Sequence, residues 1–455
     1  MLMRRLATLF AVSLVTCWLA VSSFADSQAR IVRLSQVDGA VQIDRNTGQG
    51  FEKAFLNLPI TQGTKIRTGA DSRAEIEFED GTTLRLTPNT AVEFPELARR
   101  DSGGRSSNLE LQGGTAYLNF KGDKQEQFRL NFGQEKLTLT KQAHLRIEMK
   151  DANATVAVFK GEVDVDGSSG KVNVEKKHSA TFDLAGTSPY TLANSLEPDP
   201  YDQWDKQQDQ YQQRYSASNS FSPYSYGTSD MNYYGSFYTV PGYGMMWQPF
   251  LIGSDWDPYM NGAWSWYPGA GYTWVSSYPW GWTPYRYGSW TYLSAYGWFW
   301  QPGSTWAGWN TVPRIANAPA SFSAPRPPSA PGQTLAVNRG GGLGPVRVVQ
   351  NRSDQKYQIR GGSAGLGVAR GSVRDLGKVS QQMERTASVR GGMQAPPAAS
   401  AMRLPSAASR GVAPRSGVAT RSAGPPAGSA GGSAPRMSGG SGSSGGSGSH
   451  GVPHR

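Results

Sequence analysis

DPYMNGAWSWYPGAGYTWVSSYPWGWTPYRYGSWTYLSAYGWFWQPG, residues 257–303, decides how the second half of the chain folds. Of the chain's 14 tryptophans, all but Trp18 and Trp204 lie between Trp247 and Trp309. The stretch repeats on itself. Trp256, Pro258, Tyr259, Gly262, Trp264, Gly271 and Trp274 recur, at an offset of 26 (282 minus 256), as Trp282, Pro284, Tyr285, Gly288, Trp290, Gly297 and Trp300. A partial third copy lies upstream, where Gly235, Pro241, Gly242, Gly244 and Trp247 match Gly262, Pro268, Gly269, Gly271 and Trp274. A fixed period marks one supersecondary unit copied in tandem. Trp264 and Trp266 share one face of a strand, as do Trp290 and Tyr292, and Trp298 and Trp300. Pro and Gly break the run at short intervals. The pattern predicts a meander of short strands, two per copy, over residues 233–310.

Upstream of that module, residues 31–187 read as all-β. Ala74, Ile76 and Phe78 alternate with Glu75, Glu77 and Glu79, which predicts one buried and one wet face. Asp80-Gly81 follows as a two-residue hairpin signal, and Leu84 and Leu86 resume the alternation. The same grammar recurs at Leu109/Leu111, Tyr117/Leu118, Leu137/Leu139, Leu145/Ile147, Val156/Val158 and Val163/Val165, and Asp166-Gly167 then turns the chain towards Val172/Val174. Many short strands with Gly-rich turns predict a sandwich, a roll or a solenoid.

The run GTKIRTGADSRAEIEFEDGTTLRLTPNTAVEF, Gly63 to Phe94, together with VAVFKGEVDVDG, Val156 to Gly167, resembles the FecR-type domain of periplasmic regulators of iron-citrate uptake. The resemblance implies a periplasmic, non-enzymatic β domain. Two features depart from the family. Lys177-His178-Ser179 stands where it usually shows a Gly-containing turn. The regulators also carry a cytoplasmic anti-sigma segment before their membrane helix, and here five residues precede the apolar run, so the signalling mechanism does not transfer with the domain. Residues 257–303 are in turn similar to an uncharacterised Trp-rich domain found downstream of FecR-type domains in secreted or envelope proteins. That resemblance implies architecture and location, and no activity.

Composition divides the rest of the chain. Arg4 and Arg5, the apolar run from Leu6 to about Val21, and Ser23-Phe24-Ala25 form an export signal with Asp26 as the first mature residue. An uncleaved anchor and a lipoprotein box at Leu14-Val15-Thr16-Cys17 are the rival readings, and all three place the chain outside the cytoplasm. Cys17 is the sole cysteine, so a chain cut at residues 1–25 holds no disulfide, zinc thiolate or cysteine nucleophile. Residues 188–232 read as a short helix, with Trp204, Tyr211 and Tyr215 in one stripe, followed by a Ser/Tyr-rich linker. From Ala318 the chain carries 15 Arg, 2 Lys, 2 Asp and 1 Glu, so this tail is +14 and the remainder −3 of the total +11. Residues 318–455 are expected to be disordered, with a short helix near Val379 to Ser388.

No catalytic constellation emerges. His144 falls on a strand, His178 in a turn, and His450 and His454 in the tail; no G-x-S-x-G motif occurs, and Asp164 and Asp166 supply half a calcium loop at most. The expectation is no enzyme, no metal and no cofactor. Trp264, Trp274, Trp290 and Trp300 occupy the recurring positions and are assigned to the core. Trp280, Trp298, Trp306 and Trp309 exceed what a small sheet hides and are assigned to an exposed binding platform for a cell-wall polysaccharide or an envelope protein. Arg339, Arg360 and Arg390 each precede Gly-Gly, a pattern of RNA-binding tails. Export points instead to anionic envelope surfaces, and no nucleic-acid partner is expected. The resulting reading is a non-enzymatic exported scaffold of the periplasm or cell envelope, with an envelope signal relay or a glycan-binding module as the alternatives.

Overall fold

The computed structural model describes residues 30–100, 103–167, 170–185, 190–216, 221–222, 224–306, 314–332, 334–338 and 359–391. The export signal, Trp309, the side chain of Trp306, Arg339 and residues 392–455 lie outside the described residues. The protein is mostly β, in several sheets.

Strands from Val32–Asp38 to Thr191–Ala193 join into one hydrogen-bonded sheet of 17 strands that doubles over into two layers. The Arg105–Phe120 strand belongs to both. Its first half pairs with Ala91–Arg99 and, in parallel, with Glu126–Phe132. Its second half pairs with Thr83–Leu86 and Ala143–Lys150. The chain turns over at Gly113-Gly114. Gly114 has φ +85°, and a Cβ there would fall 2.5 Å from Thr90 Oγ1, so a side chain at this corner is excluded. The aliphatic positions of the alternating strands, among them Ile76, Leu84, Leu111, Leu137, Val156 and Val165, meet between the layers. Each such side chain contributes about 1.5–3 kcal/mol by leaving water. The Asp80-Gly81 turn is one residue longer than its dipeptide predicts. Phe78 N donates to Thr82 O at 2.8 Å, which makes Glu79-Asp80-Gly81 the loop, and the Asp80 carboxylate accepts from Thr82 N.

Helix α1 (Asp202–Tyr215) buries Trp204 and Tyr211 on the stripe that the sequence marks. Helix α2 (Thr228–Tyr234) arises where a linker is expected. Gly227, at φ +79°, turns the chain into it, and Asp230 sits in its first turn, where a carboxylate favours the helix dipole.

The Trp-rich module consists of three hairpins: Gly235–Val240 with Gly244–Pro249, Asn261–Tyr267 with Gly271–Ser276, and Tyr287–Leu293 with Gly297–Trp306. The recurring Gly and Trp have one geometric cause. A Cβ on Gly235 would lie 2.3 Å from the Trp247 indole, one on Gly262 2.4 Å from Trp274, and one on Gly288 2.9 Å from Trp300. Each hairpin's glycine therefore makes the space that its partner strand's indole fills. The first and third hairpins share a five-stranded sheet, and the second lies in a three-stranded one.

Chain beyond the module's expected end at residue 310 is built into it, in part from the expected tail. Arg314–Ala316 pairs with Tyr287–Leu293, and Leu335–Asn338 pairs with Asn261–Tyr267, which covers strand edges that would otherwise be bare. Helix α3 (Leu376–Gly391) overlaps the expected one and begins earlier. Ahead of it, Ala364, Leu366 and Val368 are buried among the aromatics, so expected disorder gives way to packing over residues 359–386. The composition is poor in apolar residues, but the few present sit close enough together to fill one groove.

Candidate functional site

The strand Arg73–Glu77 carries the site. Its alternation predicts Glu75, Glu77 and Glu79 in water, and that expectation fails: they are 0, 2 and 3% exposed. The physical reason is a cover the strand itself does not announce. Helices α1 and α2, the 277–282 connection and residues 363–376 lie over this face, and arginines meet the carboxylates there.

Two of those arginines come from neighbouring strands in register. Arg33 pairs across from Glu77 and Arg85 across from Glu75, the positions where opposite charges stabilise a sheet. Arg33 Nη1 lies 3.0 Å from Glu77 Oε2, and its Nη2 lies 2.7 Å from Asp230 Oδ2 on α2. Arg33 also donates to Asn57 Oδ1 and to Pro279 O in the Trp-rich module. Arg85 Nε lies 2.8 Å from Glu75 Oε2, while its Nη1 reaches Asp205 Oδ1 at 2.6 Å and Asp209 Oδ1 at 2.7 Å, one turn apart on α1. The third arginine is Arg370, which lies within the expected tail. It holds Asp230 with Nε and Nη2 and Glu75 Oε1 with Nη1, at 2.7–2.8 Å. A separate knot at the strand's end joins Arg30 to Glu79 at 2.8 Å and to Glu126 at 3.1 Å.

The electrostatics split two carboxylates that lie two residues apart. Burial pushes Glu75 up, but Arg370 and Arg85 outweigh it and hold the carboxyl down at about 2. Burial pushes Glu77 up to about 7; Arg33 opposes this, and Asp230 and Glu75 add to it. Arg85 and Arg370 lose solvation by burial, yet their carboxylate partners raise both above the usual arginine value. A central cluster of five acids (Glu75, Glu77, Asp205, Asp209, Asp230) thus meets three guanidinium groups, and a carboxyl that keeps its proton near neutrality reduces the excess.

His144, Asp205 and Asp209 place ligand-type atoms within 4.8 Å of one another, a set able to grip a metal ion. His144 Nε2 lies 2.8 Å from Asp205 Oδ2 and Nδ1 3.5 Å from Asp209 Oδ2. Arg85 already bridges both carboxylates, so a divalent ion here would meet a guanidinium sharing its ligands. The donor set fits an ion pair better than a metal centre.

Trp264, Trp274, Trp290 and Trp300 are buried. Trp280 and Trp298, expected on an exposed platform, are corrected: they are 0 and 3% exposed. The sheet alone is too small to hide them, and added segments do so. Trp280 stacks on Tyr278 with ring centres 5.0 Å apart and donates from Nε1 to Ala364 O. Trp298 packs on Phe322, 4.8 Å away, which belongs to the expected tail. Trp306 and Trp309 keep their assignment as expectations, since neither side chain is described. Sequence reasoning missed Arg33, Arg85, Asp230 and Arg370. Arg33 and Arg85 were detectable in principle, as arginines facing a glutamate strand in register.

Residues 64–164 match the family model described as FecR protein, and residues 228–318 match the family of unknown function DUF6600. No curated protein matches the chain. Among solved structures, two crystal structures of a candidate anti-sigma factor from Parabacteroides distasonis are similar, at 18% and 17% identity, each with a TM-score of 0.26. Each match covers 29% of this chain and 59% of the solved one, so the chain spans under two thirds of that protein's length. The charge network crosses both matched regions: Glu75, Glu77, Arg85 and His144 come from the FecR match, Asp230 comes from the DUF6600 match, and Arg370 comes from neither.

Proposed function

We propose that the protein is a non-enzymatic, exported envelope protein whose FecR-type and Trp-rich modules work as one interaction scaffold. The observation that supports this is the buried charge network. A module that moves freely against its neighbour cannot keep this network away from water, because Asp230 takes Arg33 from the FecR-type domain and Arg370 ties Asp230 to Glu75. The face of the FecR-type domain that alternation marks as free is instead spent on internal cohesion. Binding is therefore assigned to outer surfaces of the joined body. A family model shared with envelope regulators supports the same location and a non-catalytic role.

The test is cell fractionation of the full chain, with N-terminal sequencing and in-cell cross-linking. The expected result is a mature chain starting at Asp26 in the envelope fraction, cross-linked to envelope proteins. Full-length chain confined to the cytosol would sink the reading. A signal relay is the second reading, favoured by the FecR match at residues 64–164. It predicts that deleting the gene changes transcription from extracytoplasmic-stress promoters while its scaffold partners stay assembled.

A further inference from the structure

The strand edges of the FecR-type domain are covered at one end and bare at the other. At the covered end the Trp-rich module lies on the outermost strands: Tyr267 OH donates to Pro59 O at 2.7 Å, and Asn57 Nδ2 donates to Ser276 O at 3.0 Å. At the opposite end one layer finishes in the strand Gly170–Glu175. Among the described residues its register partners all come from Glu162–Gly167. Gly167 and Gly170 close the hairpin as a hydrogen-bonded pair, and bonded pairs alternate along an antiparallel ladder. Val172 and Val174 therefore bond to Glu162–Gly167, and their side chains enter the core. Lys171, Asn173 and Glu175 direct N–H and C=O to the bare edge, and all three residues are exposed. Glu175 O shows that direction, since it accepts from His178 N at 3.1 Å, outside the ladder. The other layer finishes on the same side in Thr191–Ala193. Its Leu192, 51% exposed, is the most exposed large apolar side chain among the described residues.

Charged side chains on an edge commonly guard it against pairing. A guard of one sign repels every register, but here the signs differ. Lys171 and Glu175 stand two residues to either side of Asn173. In an antiparallel pairing of this strand with itself, centred on Asn173, Lys171 faces the partner's Glu175 and Glu175 faces the partner's Lys171. The outward N–H and C=O groups of all three residues then meet their counterparts, and valine faces valine. Sliding one strand by one residue sets valine against charge, and sliding by two parts both charge pairs. Sliding by four sets lysine against lysine or glutamate against glutamate. Within the chain Glu175 lies opposite Glu162, a like-charge pair. Lys141 takes Glu162 at 2.8 Å, and Glu175 makes no ion pair among the described residues. A second copy supplies the missing cation.

We propose that Gly170–Glu175 is a homodimer edge, at which a second copy of this chain adds the same strand antiparallel about a two-fold axis through Asn173. Such an interface is isologous, and strand addition supplies its backbone hydrogen bonds. The proposal rests on the scaffold reading only in placing binding on outer surfaces, and it names one such surface and its partner.

The experiment is sedimentation velocity on the full chain, on Lys171→Glu, on Glu175→Lys and on the double reversal. At roughly 100 μM, where a pairing with a Kd of about 10 μM is mostly formed, the parent is expected at twice the mass of one chain. Each single reversal sets like charges opposite each other at both pairs and is expected to weaken association by on the order of ten-fold. The double reversal restores both pairs and is expected to regain the parent's affinity. The two single variants, once mixed, are expected to pair with each other more tightly than either does with itself. Hydrogen exchange reads the same edge: association should slow the amides of Lys171, Asn173 and Glu175, while those of Val172 and Val174 are protected at every concentration. A parent that stays monomeric overturns the proposal and leaves the edge to a strand of another protein. A dimer indifferent to both single reversals overturns it, and so does a double reversal that associates no better than the singles, or association without slowing at Lys171 and Asn173. The substituted side chains are exposed, so the variants are expected to keep the parent's circular dichroism. None of these outcomes touches the fractionation test of the scaffold reading.

Discussion

The FecR-type domain and the Trp-rich module solve the same problem with different materials. The first buries aliphatic side chains between two layers of its own strands, and Val275 is the one buried Trp-rich residue that joins that cluster among the described residues. The second buries indoles and phenols, and it completes its core with pieces from outside: Tyr211 of α1, Met231 of α2, and Ala364, Leu366, Val368 and Leu376 from beyond the module. A double-layered sheet closes its own core. Three short hairpins do not, because so few strands cannot surround side chains as large as tryptophan. The contrast teaches that the aromatic module is not self-sufficient, and the charge network is the seam along which it borrows.

The largest expected effects test that dependence. Trp290→Ala and Trp280→Ala should each cost about 3–5 kcal/mol, the scale for truncating a buried aromatic. Trp280, a single indole in contact with Trp247, Tyr278 and Trp256, should be no more tolerant than Trp290. Thermal unfolding followed by near-ultraviolet and far-ultraviolet circular dichroism checks both points. One shared transition upholds the joined body. Two separated transitions, with the β signal of the FecR-type domain surviving, would break the comparison and leave two independent modules.

Asp230→Ala should follow closely, at about 3–5 kcal/mol, because it strands Arg33 and Arg370 in the interior with half their partners. Chemical denaturation measures it. A cost below about 1 kcal/mol, the level of a surface pair, would mean that the seam is hydrated and loose.

The same comparison explains what could be read from sequence. Ala74, Ile76, Leu84 and Leu86 declare their strands by alternation, since one face of a sheet must be apolar whatever covers the other. What covers the other is a tertiary fact. Glu75 and Glu77 have the alternation of a wet face and sit in a dry one, because arginines on the two flanking strands, joined by Arg370, supply the charge that water would have supplied. Trp280 looked surplus while the module was counted alone. Leu366, Val368 and Arg370 were hidden by composition: Gly, Ala and Ser around them signal a loose tail, and nothing local says that a groove elsewhere matches their spacing. The repeat was legible throughout, since each Gly–Trp pair is a steric contract within one hairpin.

A smaller effect, and one that sharpens the picture of the seam, is its pH dependence. Glu77 is raised from an ordinary 4.5 to about 7, so the folded state favours the proton. Its stabilising contribution is complete below 4.5 and is lost as pH rises through 7. The interval corresponds to about 3 kcal/mol at most. Glu75 has the opposite sign: lowered to about 2, it stabilises above 4.5 and loses this as pH falls towards 2. Stability should therefore peak in weak acid and decline from pH 5 to 8. Glu77→Gln, which mimics the protonated form, should flatten the decline on the alkaline side and leave the acid limb in place. Denaturation midpoints across pH 3–9 read both limbs. An unchanged alkaline limb in the variant would show that another group carries it.

The smallest expected effect lies on the outer rim of the aromatic module, where the borrowing stops. Tyr243 and Tyr296 cap adjacent hairpins of the five-stranded sheet and are 40% and 38% exposed. The tips are tied to neighbouring strands through backbone carbonyls: Gln301 Nε2 donates to Tyr243 O, and Gln248 Nε2 donates to Tyr296 O. Neither bond needs the phenol ring. Tyr243→Ser and Tyr296→Ser should therefore change stability by no more than about 0.5 kcal/mol, as surface substitutions do. If both stay this small while Trp280→Ala is ruinous, the line between core and surface runs inside the module at the strand ends. A loss of 2 kcal/mol or more at either tip would move that line outward. It would mean that even the exposed rings are held by packing, and that the aromatic module has spent its whole inventory on its own cohesion.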